Sequence, residues 1–404
     1  MLKAKNPLIF IFITVFIDCL GIRIIFPVAA SIIAEVGRIS ITEAIRYSGW
    51  MMASYAIMQF IFSPTLGGLS DRYGRRPVLL LSMMGLGIDY LFLALANTLP
   101  LLFLGRIIAG ICGARFATGF AYIADISEPE KRAENFGIIG VAIGLGFTIG
   151  PFIGGMLSEY GTRVPFIASA ILALLNWLYG YFILPESLKP ENRRKFDIRR
   201  ANPFGAFVLL RKNKELRMLF VVLFFVFMAG QIMPTIWPFY TKYVFKWKDV
   251  EIGYSLAFVG VMVAIVKGVL IKWSQQKFGA MHTVSIGLMF YILALSLFAF
   301  ANEPWMVYAF TFIYCFGGIA PPTLQGIISG KIAHNEQGEL QGIISSILSL
   351  SNIISPLIFS NLFYLFTKEN STLHFPGAAF AAAGIVTLIG LMLYIREINK
   401  KVCT

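Results

Sequence analysis

Gly67-Gly68-Leu69-Ser70-Asp71-Arg72-Tyr73-Gly74-Arg75-Arg76-Pro77-Val78 decides how this chain is read. It is a short charged turn between two apolar runs, residues 45–66 and 77–97, each long enough to cross a bilayer. A connection this short makes the flanking helices an antiparallel hairpin. Asp71, Arg72, Arg75 and Arg76 then sit at the membrane surface, and their basic excess marks the cytoplasmic side. Glycines at 67, 68 and 74 let helix ends approach and let the backbone take φ > 0.

Working outward, the apolar runs recur along the whole chain. Hydrophobic residues make up 57% of the sequence and charged ones 14%, a balance no soluble fold needs. The runs predict twelve spans, at about 8–34, 45–66, 77–97, 100–124, 135–158, 163–184, 218–241, 250–272, 282–301, 304–330, 340–366 and 373–396. The first is a retained span, since it is long and lacks a small-residue cleavage site. With the N-terminus inside, 23 of the 34 Lys and Arg fall on inner loops and tails, seven outside and four within spans. The net charge of +13 therefore reports topology and not nucleic-acid binding. Cys19, Cys112, Cys315 and Cys403 show neither disulfide nor metal spacing. There is no nucleophile–base set and no phosphate loop, so neither a catalytic nor a metal site is expected, and no cofactor beyond a proton gradient.

The expected fold is an all-α membrane protein of two six-helix bundles with both termini cytoplasmic. Residues 1–184 form the first bundle and 218–404 the second. The basic stretch 185–217 links them, with an interfacial helix starting at Asn202-Pro203. The second half repeats the first: adding 205 to Gly74, Glu134, Gly137 and Pro151 gives Gly279, Glu339, Gly342 and Pro356. Gln276 stands where the first copy has Asp71.

Three motifs carry a family resemblance. The opening turn resembles the signature loop of the major facilitator superfamily. Leu104-Gly105-Arg106…Gly110…Gly113 resembles that superfamily's fourth-helix arginine motif, with Asp125 at the cytoplasmic end of the run. Gly137, Gly146, Gly150-Pro151 and Gly154-Gly155 reproduce G-x8-G-x3-GP-x2-GG, which in the superfamily marks antiporters and seals the periplasmic side. Glycines so spaced let helices press together, and Pro151 kinks the helix. Asp18, Gly21 and Pro27 resemble the first helix of drug/proton antiporters. Asp89-Tyr90-Leu91, Gly230-Gln231-Ile232, Gly253-Tyr254-Ser255 and Leu324-Gln325-Gly326 are similar to the tetracycline/proton antiporter branch. The resemblance runs over nearly all of the chain. It implies a monomeric proton-coupled exchanger of the bacterial inner membrane, multi-pass and working by alternating access on a small molecule. Arg23, Arg115, Lys267, Val263 and Tyr291 depart from that branch.

Six ionisable groups lie within the spans: Asp18, Asp89, Arg23, Arg106, Arg115 and Lys267, a surplus of positive charge. Arg23, Arg115 and Lys267 are candidate substrate contacts, with Gln231, Trp237, Tyr240, Gln325 and Asn352 as polar and aromatic companions. Arg106 and Arg115 are nine residues apart, about 180° around a continuous helix, and should face different ways. Asp18 is the first candidate for the coupling proton and Asp89 the second. Asp71, Arg72, Arg75, Arg76, Asp125 and Arg106 form the expected conformational latch, with Asp71 capping a helix and Arg75 or Arg76 pairing with Asp125. The surplus cations favour an organic anion, a polycarboxylate or siderophore, as cargo. Whole-chain similarity favours tetracycline or multidrug efflux. A non-transporting receptor or scaffold is the third reading.

Overall fold

The computed structural model describes residues 7–113, 115–128, 131–194, 216–332 and 337–402, and among them every regular element is helical. In lipid a backbone must satisfy its own hydrogen bonds, and runs of apolar residues this long do so as helices. In the first half these are α1 (Pro7–Ile24), α2 (Ala29–Gly37), α3 (Ile41–Tyr73), α4 (Arg75–Leu95), α5 (Leu99–Ile111), α6 (Arg115–Ile126), α7 (Arg132–Ser158) and α8 (Val164–Ile183). In the second half they are α9 (Arg217–Gly230), α10 (Ile232–Phe245), α11 (Asp249–Ile265), α12 (Ile271–Ala299), α13 (Pro304–Gly317), α14 (Ala320–Ser329), α15 (Gln337–Thr367) and α16 (Ala378–Val402). A π-helical turn, Val266–Leu270, joins α11 to α12.

Among the described residues, eight helical stretches are long and apolar enough to cross a membrane, or nine if the bent pair Leu8–Ile24 and Ala29–Gly37 is one span. One stretch, Asp249–Ala299, has 51 residues. At 1.5 Å per residue that is about 76 Å, enough for two crossings of a core about 30 Å thick. Gly279, at φ +76°, divides it. The expected interfacial helix at 202–210 lies outside the described residues, as does Cys403.

The 205-residue repeat extends to the irregularities. The break between Ile24 and Ala29 maps onto the turn at Gln231, and the break between Ile111 and Arg115 onto the turn at Gly318-Ile319. Gly74 and Gly279 both have positive φ, and Pro151 and Pro356 both lie inside helices. Each half thus holds two interrupted spans at matching positions, where backbone groups are freed from the helical ladder.

The chain divides into two compact units. Unit 1 comprises Met1–Ile39, Ser54–Pro203 and Lys248–Gly260; unit 2 comprises Ser40–Ala53, Phe204–Trp247 and Val261–Thr404. In unit 1, α1 packs on α7 and α8, and α4 on α8 and α5. Its core gathers Phe10, Val15, Leu79, Met83, Tyr122 and Ile139. In unit 2, α12 packs on α13, α14 and α16, and α9 on α15 and α16, around Leu223, Leu288, Leu324 and Ile343.

Candidate functional site

The glycine motif sits where α7 meets α1. A methyl added at Gly146 would come within 2.6 Å of Cys19 Cβ, and one at Gly150 within 2.5 Å of Arg23 Cβ; at Gly154 it would strike the carbonyl of Ile24. These three face one neighbour because they repeat every four residues. Gly155 faces another way, where an added methyl would lie 3.0 Å from Val250 Cα and 3.1 Å from Gly253 Cα. The 248–260 segment of unit 1 is therefore packed backbone to backbone on α7. Ser31 fastens the same segment by donating its hydroxyl to both oxygens of Asp249, at 2.8 and 2.9 Å. Gly137 differs from the rest: a methyl there would meet nothing within 4 Å, so this first glycine makes no close contact.

The charged turn is built from three sides. Arg75 pairs with Asp71 at 2.5 Å and with Asp125 at 3.0 Å, and donates to Ser70 Oγ at 2.7 Å. Ser187 donates to the same Asp125 oxygen at 3.1 Å. The cap on α4 is not Asp71, as the sequence suggests, but Glu186. Its carboxylate accepts the backbone N–H of Arg75 at 2.8 Å and of Arg76 at 3.2 Å, two donors that the first turn leaves unsatisfied. Asp71 belongs to the end of α3, four residues before Arg75, so it can reach the guanidinium but not those amides. Gly74 is required twice over. Its φ is +111°, and a side chain there would collide with Glu186. Arg76 does not pair with Asp125; it donates to the Tyr181 carbonyl at 2.6 Å. Arg72 is exposed beside the Tyr73 ring, 4.9 Å from its centroid. The backbone N–H of Arg194 donates to the Asp71 carbonyl at 3.0 Å, stitching the chain after α8 to the turn. A cavity of about 580 Å³ lies between them, lined by Asp71, Arg75, Asp125, Leu188 and residues 191–194.

Arg106 does not join this cluster. It is ion-paired with the fully buried Asp89, across the hairpin of α4 and α5. Asp89 lies six residues before the end of α4 and Arg106 seven after the start of α5, so the hairpin sets them at equal depth. Gly105 leaves room for the carboxylate: a methyl there would be 2.9 Å from Asp89 Oδ1. The pair takes out one charge of each sign, so the net intramembrane surplus is unchanged. Asp89, the second candidate for the coupling proton, is thus held by Arg106. Asp18 is 6% exposed and accepts an N–H from Asn176 Nδ2 at 3.0 Å, while the same amide donates to the Thr14 carbonyl at 3.1 Å. Arg23 is held by rings: its guanidinium carbon lies 3.8 Å from the Phe147 centroid and 5.4 Å from that of Phe26, a cation–π clamp. No carboxylate pairs with it among the described residues.

Arg115 opens α6, and its side chain lies outside the described residues. The helix is interrupted between Ile111 and Arg115, so the nine-residue angle from Arg106 does not apply. Gln59 serves this break by donating its amide to the Gly113 carbonyl at 3.1 Å. In unit 2, Gln231 occupies the turn between α9 and α10, and Gln325 and Asn352 are half-buried on α14 and α15. Trp237 and Tyr240 are not cavity-facing. Each is 1% exposed, and Tyr240 donates its hydroxyl to the carbonyls of Phe298 and Ala301 at 2.8 and 3.1 Å. Rings of Phe298, Phe363 and Phe380 surround them, so both are core residues. Lys267 is exposed on the π turn. Sequence reasoning missed Glu186, Asn176 and Gln59, each a polar residue whose partner is remote in sequence.

The sequence profile of the Major Facilitator Superfamily matches residues 11–356 and 268–402. The chain is 36% identical over 362 residues to the class C tetracycline resistance protein of Escherichia coli, covering 90% of this chain and 91% of that one. It is 34% identical over 390 residues to the class D tetracycline resistance protein of Salmonella ordonez, covering 96% and 95%. Among solved structures, a bacterial homolog of the human lysosomal transporter Spinster superposes with a TM-score of 0.79 at 15% identity, covering 98% of each chain. With interrupted spans repeated in each half, a glycine face on α7 and a charged turn tied to Asp125, this multi-pass membrane chain belongs to the Major Facilitator Superfamily of transporters.

Proposed function

We propose that the chain is a proton-coupled exporter of tetracycline or a related drug, working by alternating access. The observation that carries this reading is identity of 33–36% to tetracycline resistance proteins, extending over 86–97% of this chain. The glycine face on α7 supports it, since backbone contact at Gly154 and Gly155 is what a tightly sealed helix junction requires. The anion reading keeps its surplus of intramembrane positive charge, since the Asp89–Arg106 pair takes out one charge of each sign, but the full-length relatives favour the drug over it.

The topology that goes with this function has twelve spans, both termini cytoplasmic, bundles at 1–184 and 218–404 and a linker at 185–217. It works as a monomer in the bacterial inner membrane. Asp18 carries the coupling proton, as a buried carboxylate whose described hydrogen bond comes from the Asn176 amide. Arg23, Gln231, Gln325 and Asn352 are the cargo-facing candidates, and Asp71, Arg75 and Asp125 hold the turn during the exchange cycle. In a drug-sensitive strain, expression should raise tetracycline tolerance. Inverted vesicles should take up tetracycline when a proton gradient is applied, and Asp18→Asn should abolish that uptake while the protein still inserts. Unchanged tolerance with uptake of a polycarboxylate instead would return the anion reading to first place.

A further inference from the structure

The second copy of the charged turn has different chemistry. At the 205-residue offset Asp71 becomes Gln276, Arg72 becomes Lys277, Tyr73 becomes Phe278, Arg75 becomes Ala280 and Arg76 becomes Met281. The turn shape is kept, because Gly74 and Gly279 both have positive φ. In the first copy, carboxylates of Asp71, Asp125 and Glu186 close on Arg75 and on the start of α4. The second copy has no such partner in its own stretch: between Ile252 and Asn302 there is no Asp or Glu, while Lys267, Lys272 and Lys277 are present.

Residues 276–282 are all exposed, and a methyl added at Gly279 would meet nothing within 4 Å. Lys277 Nζ rests over two rings, 5.0 Å from the Trp273 centroid and 5.5 Å from that of Phe278. The rings meet edge to face at 5.8 Å, and they are 50% and 40% exposed. Five residues upstream of Lys272, Lys267 lies on the π turn. Its wider helical register narrows the angle of about 140° that a straight α-helix sets between residues five apart.

An exposed amphipathic indole at the end of a spanning helix belongs at headgroup depth, and the apolar Phe278 ring beside it suits the adjoining acyl boundary. Ammonium groups next to them, with no carboxylate in the stretch, suit a phosphate. We propose that residues 272–282 form a docking surface for anionic phospholipid: Trp273 and Phe278 sit at the glycerol level, and Lys272 and Lys277 contact the headgroup phosphate. This rests on the topology proposed above, which puts the turn at the inner leaflet.

The test reconstitutes the full chain in phosphatidylcholine vesicles. Brominated phosphatidylglycerol or brominated phosphatidylcholine is added as a quencher, and the Trp273 share of emission is taken by difference from Trp273→Phe. Phosphatidylglycerol should quench that share at several-fold lower mole fraction. Lys272→Gln and Lys277→Gln should each weaken the preference about fivefold, and Lys277→Arg should retain it. Equal quenching by the two lipids, a preference intact in the double Gln variant, or displacement of the lipid by soluble inorganic phosphate each overturns the proposal. Labelling of Ala280→Cys by a membrane-impermeant reagent, in intact cells against opened ones, checks the topology separately. A label reaching it in intact cells removes the inner-leaflet placement whatever the lipid preference.

Discussion

At the 205-residue offset, Gly146, Gly150 and Gly155 of α7 correspond to Ser351, Ser355 and Ser360 of α15, and Gly154 corresponds to Phe359. All four positions of α15 are fully buried. The two helices therefore fill equivalent places with different atoms. On α7 the contact is main chain against main chain, at Ile24, Val250 and Gly253. On α15 it is side chain: Ser351 donates to the Phe224 carbonyl of α9 at 3.5 Å, and Ser360 occupies the space that a side chain at Gly49 would need. A second contrast runs parallel. The pair of buried Asp89 and half-buried Arg106 in unit 1 maps onto Ala294 and Thr311, which are both buried and carry no charge. In lipid, where apolar surface gives helices no drive to associate, close approach and polar pairing hold them together. At these matching positions unit 1 has backbone contact and an ion pair where unit 2 has uncharged side chains.

The sharpest way to test the second contrast is to convert one unit's solution into the other's. Asp89→Ala or Arg106→Thr alone leaves an uncompensated buried charge, with an expected loss of about 3–5 kcal/mol. The double variant, which copies unit 2, should recover most of that loss. Thermal midpoints of the purified protein in detergent read the difference, and a double variant no better than the singles means the pair has a role beyond charge balance.

The glycine contrast should give the next largest effect. Gly155→Ser forces apart a backbone contact and should cost about 1–3 kcal/mol and lower vesicle transport several-fold. The mirror change, Ser360→Gly, should cost about 1 kcal/mol or less and leave transport near its starting level. Equal effects of the two would show that α7 and α15 are packed alike after all. The turns come third. Both glycines have backbone angles that disfavour a side chain, so Gly279→Ala should cost about 1–3 kcal/mol. Gly74→Ala should cost more, because it also displaces Glu186 from the start of α4. Glu186→Gln, which keeps the shape and removes the charge, should be the mildest change, at about 1 kcal/mol.

Much of the fold was legible because it is periodic. Runs of apolar residues announce spans, and an offset that aligns Gly74 with Gly279 and Pro151 with Pro356 carries the repeat into three dimensions. The helix breaks had signals too, in Pro27, Gly113, Gly230 and the Gly317-Gly318 pair. The candidate site was less legible because its partners are set by neighbouring helices. A net count of charges treats Asp89 and Arg106 as independent, whereas matching their depth on a hairpin would have joined them. Glu186 gives no local sign of its role: it caps a helix that began 111 residues earlier, at Arg75. Trp237 and Tyr240 look like ligand residues by type, and only the surrounding phenylalanines show them to be core.

The bare face of α7 has an evolutionary consequence. A surface defined by absent atoms offers natural variation nothing to reshape, since almost any substitution at Gly150, Gly154 or Gly155 can only thicken it. Change must then arise where rotamers exist to be exchanged, at side-chain contacts such as those of α15. Descendants of this protein should keep the bare face of α7 nearly frozen while side-chain contacts elsewhere drift.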